Sequence, residues 1–99
     1  MSETTPLPEL HQSHMDSETL AAYFRDLEAC AEIFAVIPKM GQGYVAPQEV
    51  DLRLGKSLLE SGALLGLQIR YRFDGSEWWD TLIARGGQIR ITRIEQTFQ

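Results

Sequence analysis

Residues Leu64 to Ile94 read LLGLQIRYRFDGSEWWDTLIARGGQIRITRI, and this stretch decides the fold. Two turn signals, Asp74-Gly75 and Gly86-Gly87, divide it into three strand-like runs. In the first run Leu65, Leu67, Ile69, Tyr71 and Phe73 alternate with Gly66, Gln68, Arg70 and Arg72. Such a period of two gives a strand one buried and one wet face. The second run, Trp78 to Ile83, is apolar on both sides, as a central strand would be. In the third, Ile89 and Ile91 keep the alternation and Arg93-Ile94 break it, which suggests a bulge. The pattern predicts a three-stranded antiparallel meander.

The turns suggest a register. A two-residue Gly86-Gly87 turn pairs Ala84 with Ile89, Leu82 with Ile91, Asp80 with Arg93 and Trp79 with Ile94. The core face then holds Ile69, Tyr71, Trp78, Leu82, Ile89 and Ile91, together with Asp80 and Arg93. The other face holds Arg70, Arg72, Arg90, Trp79, Thr81 and Ile83. A three-residue loop at Asp74-Gly75-Ser76 would shift the pairing by one and exchange the two tryptophans. In either register one tryptophan lies in the core and its neighbour on the arginine-bearing surface.

Ahead of the meander the chain is read as two helices. Asp16 or Ser17 offers an N-cap, and Glu18 suits the first turn. Leu20, Phe24, Leu27, Ala31 and Phe34 form an apolar stripe, widened by Tyr23, Cys30 and Ile37. The stripe predicts a helix from about 16 to Ile37, ended by Pro38. Cys30 on this stripe reads as a buried apolar residue. Residues 38–47 form a connector in which Gly41 and Gly43 give backbone freedom, or a mobile lid. A second helix begins near Pro47, with Val50, Leu54, Leu58 and Leu59 on its apolar side and Gly62 after it. Gly55 opposes that reading, and the alternation of Val50, Leu52 and Leu54 leaves a short strand at 49–54 as the alternative. Residues 1–15, with Pro6 and Pro8, are expected to be a flexible lead to a single α+β domain at 16–99.

Composition bounds the function classes. With 99 residues there is room for one domain, and one cysteine excludes an internal disulfide. No apolar run approaches the ~20 residues that span a bilayer, and the N-terminus lacks the basic and apolar regions of a secretion signal. These features suit a cytoplasmic, bacterial protein. The net charge of −5 argues against a general nucleic-acid or anionic-membrane role. Residues 1–63 carry ten acidic and four basic side chains and residues 64–99 four acidic and five basic, so the arginine-rich half differs from an acidic helical half. Such a dipolar chain can associate head to tail or meet a mixed-charge partner.

No catalytic motif is present, and no cofactor is implied. His11 and His14 would share a helical face, but no further ligand completes a metal site. Asp80 opposite Arg93 reads as an ion pair, because an adjacent arginine lowers a carboxylate pKa and unsuits it for acid–base work. The expected working surface is Trp79 with Arg70, Arg72, Arg90 and Ile83, since Trp supplies contact area and Arg bidentate hydrogen bonds. The leading expectation is a non-enzymatic protein–protein interaction or accessory module that binds another protein or itself as a homodimer. The alternative is a small-ligand-binding or minor enzymatic domain. Its pocket would lie between the 38–47 loop and the sheet, lined by Tyr44, Tyr71, Trp78 and Asp80. Single-stranded nucleic-acid binding on Trp79, Arg70, Arg72 and Arg90 is a third possibility, disfavoured by the acidic balance.

Overall fold

A computed structural model describes residues 10–39 and 49–96 of the chain. It places β1 at Leu10–Met15, α1 at Ser17–Cys30, β2 at Glu32–Lys39 and α2 at Leu52–Glu60. Three further strands follow, β3 at Gly66–Phe73, β4 at Ser76–Arg85 and β5 at Gln88–Gln96. The strands form one antiparallel sheet in the order β1-β5-β4-β3-β2. The expected three-stranded meander is therefore corrected: β3, β4 and β5 are the middle of a five-stranded sheet.

Each added strand replaces something read differently in the sequence. Residues 10–15 pair with β5 rather than belonging to a lead. Their sequence, LHQSHM, is mostly polar, so a strand held by backbone pairing left no apolar alternation to read. Helix α1 stops at Cys30, where Ala31 turns to extended geometry and its N–H bonds the Leu27 carbonyl. The chain beyond is β2, paired with β3. The β-branched and aromatic run Ile33-Phe34-Ala35-Val36-Ile37 suits a pleated surface better than a helix. Phe34 and Ile37 fell on the helical stripe by coincidence of spacing. Pro38 does not end a helix; it sits in an edge strand, where a missing N–H is tolerated.

Inside α1 the stripe behaves as expected. Asp16 caps the helix by accepting a 2.7 Å hydrogen bond from Thr19 N–H, and Leu20, Tyr23, Phe24 and Leu27 are buried. Cys30 lies exposed, not in the core. The second segment is a helix, but it starts at an Asp51 cap on Leu54 N–H. Leu54 is 47 % exposed, while Leu59 is buried. Gly55 is also buried, and it is there for proximity. A Cβ at this position would meet Val36 Cγ1 at 3.0 Å and Leu67 Cδ2 at 3.1 Å. The glycine that weakens the helix locally lets it lie close on β2 and β3.

Both hairpins turn through two residues with positive φ, Asp74-Gly75 and Gly86-Gly87. This mirror-image turn matches the twist of the flanking strands. It excludes the three-residue loop and fixes Trp78 opposite Tyr71 and Trp79 opposite Arg70. The β4–β5 register is Ala84 with Ile89, Leu82 with Ile91, Asp80 with Arg93 and Trp79 with Ile94. A register shift occurs in β2, between Ile33 and Ala35, and none in β5.

The core lies between the two helices and one face of the sheet. Leu20, Phe24, Leu27 and Leu59 from the helices meet Val36, Leu67, Ile69, Leu82 and Ile91 from the strands. Among the described residues no helix is long and apolar enough to cross a membrane.

Candidate functional site

The sheet face away from the helices is built by strand parity. Residues paired directly across neighbouring strands share a face. Arg70 is paired with Trp79 and with Ala35, Trp79 with Ile94, and Ile83 with Arg90. Arg72 pairs with Glu77 and Glu32 on the same side. The structure thus brings Trp79, Arg70, Arg72, Arg90 and Ile83 onto one face, with no helix over it among the described residues.

The middle of that face is ordered by side-chain contacts. The Arg70 guanidinium lies over the Trp79 ring, 4.0 Å from its centroid. Arg70 Nε donates to Gln68 Oε1 at 3.0 Å, and Gln68 Nε2 donates to Thr81 Oγ1 at 3.4 Å. Trp79 Nε1–H donates to Glu77 Oε2 at 2.8 Å. A second stack stands beside the first: Arg72 lies 5.4 Å from the ring centroid of Phe34, the residue at the β2 register shift. Phe34 is 41 % exposed and Ile83 38 % exposed. In the sequence Phe34 falls on the helical stripe, Gln68 on the wet side of the first run and Glu77 among the carboxylates, and neither Gln68 nor Glu77 belongs to the expected working surface. Their signal was available, since each lies two residues from Arg70 or Trp79 on the same strand, hence on the same face.

The face is also basic. Lys39, Arg70, Arg72, Arg85 and Arg90 stand there against Glu32 and Glu77, while the whole chain has a net charge of −5. Among the described residues none of these five cations is in an ion pair. Near one end a concavity of about 620 Å³ is bordered by His14, Ile83, Arg85 and Arg90.

On the helix side the notable polar group is Asp80, which has no solvent exposure. Tyr23 and Tyr71 hydroxyls donate to its Oδ2 at 2.7 and 2.9 Å. Arg93 donates through Nε to Oδ1 and through Nη2 to Oδ2, both at 3.0 Å. The cross-strand ion pair read from the sequence is part of a larger network, tied to α1 through Tyr23. Burial pushes the Tyr23 hydroxyl well above its usual pKa, and the neighbouring Asp80 charge adds to this. Burial and then the Asp80 charge raise Tyr71 likewise. For Arg93 burial alone would lower the pKa, but the bonds and charge of Asp80 outweigh it and hold the guanidinium charged.

Of the four residues expected to line a pocket, Tyr71 and Asp80 are joined in this network and Trp78 stands next to Tyr71 across the strand pair. Trp78 Nε1 is buried and has no hydrogen-bond partner among the described residues. Tyr44, Gly41 and Gly43 lie outside the described residues, as does most of the 38–47 connector. A cleft of about 290 Å³ beside the network is bordered by Tyr23, Leu27, Tyr71, Phe73 and Arg93. His11 and His14 fall on a strand and not on a helix, so the shared helical face expected from their spacing does not arise. Among the described residues no group of three or more His, Cys, Asp or Glu side chains is placed to hold a metal ion.

No protein-family model matches the chain, and no curated protein or solved structure shows significant similarity to it.

Proposed function

We propose that the chain is a non-enzymatic interaction or accessory module whose working surface is the open face of the sheet. The observation that carries this reading is the one-sided packing of a five-stranded sheet. Both helices lie on one face, and the opposite face presents Trp79, Ile83, Phe34 and a set of arginines with no covering element among the described residues. Tryptophan and arginine are the residues that most often dominate binding energy at protein interfaces. Exposed apolar side chains interleaved with arginines give such a surface both contact area and hydrogen-bonding groups.

The small-ligand reading has less support. Asp80, its only carboxylate, already accepts four hydrogen bonds from within the protein.

Photo-crosslinking tests the proposal. A benzoylphenylalanine at position 83 on the sheet face is compared with one at position 53 on α2, in cells that express the protein. Discrete protein adducts from position 83 and none from position 53 are expected. Adducts of twice the chain mass identify self-association, and other masses a different protein. Equal adducts from both positions, or none from position 83, would refute the reading.

A further inference from the structure

We infer that the open face recognises carboxylates, that Arg70 is the receiving group, and that the occupant is an acidic polypeptide segment. This rests on reading the face as an interaction surface and adds the chemistry of what it takes.

Arg70 is held in place before any ligand arrives. Its Nε is engaged by Gln68 and its plane is stacked on Trp79, which is itself anchored through Nε1–H to Glu77. The two terminal nitrogens of Arg70 have no acceptor among the described residues. A free arginine loses rotamer entropy when it clamps a ligand. Here much of that freedom is already lost before anything binds. A planar guanidinium with two parallel N–H donors matches the two oxygens of a carboxylate. Arg93 shows a guanidinium fork within the protein, gripping Asp80 through Nε and Nη2 at 3.0 Å; in Arg70, whose Nε is engaged by Gln68, the fork is the pair of terminal nitrogens.

Charge selects the kind of occupant. Among the described residues the face carries five cations and two carboxylates, a balance that would repel the same face of a second copy stacked upon it. An acidic segment meets no such cost. A single-stranded nucleic acid fits less well. Base stacking needs an open aromatic face, and Arg70 already lies over the Trp79 ring. Ile37, Ile83 and Ile94 share the face and offer apolar contact of the kind a peptide side chain uses.

The test titrates the isotopically labelled full chain with a short synthetic peptide of alternating glutamate and leucine. A matched glutamine–leucine peptide and an oligothymidylate serve as comparisons. The Arg70 Nε–H and Trp79 indole N–H resonances report binding. Both are expected to shift with the glutamate peptide alone. Arg70→Lys keeps the charge and loses the fork, so the affinity should fall about tenfold or more. A urea midpoint equal to that of the unaltered protein shows that the variant is folded. Equal binding of the glutamine peptide, undiminished binding by Arg70→Lys, no binding of the glutamate peptide, or a response to oligothymidylate alone would each overturn the assignment. If position 83 still crosslinks to protein in cells, only the carboxylate assignment falls; if it does not, the interaction surface falls with it.

Discussion

Asp80 sits at 0 % exposure and is kept there by three residues from three elements, Tyr23 of α1, Tyr71 of β3 and Arg93 of β5. A buried carboxylate with all its bonds made is tolerated, whereas its removal strands the donors. Asp80→Ala is expected to lower stability by about 3–5 kcal/mol, read from urea unfolding. Tyr23→Phe, which deletes one donor and leaves the ion pair, should cost about 1.5–3 kcal/mol. The same network sets an alkaline limit. The folded state raises the pKa of both tyrosines, so it favours the neutral phenols. Their contribution is fully present below the unfolded pKa of about 10 and is lost as pH rises through the folded values. Unfolding midpoints should therefore fall steadily above pH ~10, with the phenolate absorbance of Tyr23 and Tyr71 appearing together with unfolding. A midpoint flat to higher pH in the unaltered protein would contradict the network. The Arg70–Trp79 stack joins two half-buried side chains, and a cation–π contact of this kind contributes about 0.5–2 kcal/mol, less than the buried network.

The hairpins were legible in the sequence because their signals are local. Gly86-Gly87 and the alternation on either side were enough for the β4–β5 register and for both tryptophan faces once the first turn was known. Strand β2 was hidden because Phe34 and Ile37 continue the helical spacing of Leu20, Phe24 and Leu27, so periodicity pointed one way and β-branching the other. What decided it was pairing with β3, a contact distant in sequence. Strand β1 was hidden for the opposite reason, having too little apolar pattern to read. Gly55 shows how an apparent defect carries tertiary information. Gly55→Ala would gain about 1 kcal/mol of helix propensity. Its Cβ would press on Val36 and Leu67, so a net loss of about 1–2 kcal/mol is expected by thermal or urea unfolding. A net gain would mean that α2 does not lie as close to the sheet as described.

The chain distributes its charge across the two sides of the sheet. Strands β1 and β2 occupy opposite edges, and α1 between them lies on the helix side with Leu20, Tyr23, Phe24 and Leu27 turned into the core. Two short helices cover one face of five strands, and the opposite face keeps five of the nine basic side chains. That the residues of this face were named from sequence and the face itself enlarged by two strands has one physical cause. Parity within a strand is local, while the extent of a sheet depends on which distant segments pair. Hydroxyl-radical footprinting, comparing the protein inside cells with the purified protein, tests the role of this face most directly. Exposed Leu54 on α2 serves as the internal reference. If the face is occupied by a partner, Trp79 and Ile83 are protected in cells relative to the purified protein and Leu54 is unchanged; equal oxidation of Trp79 and Ile83 in both would contradict it.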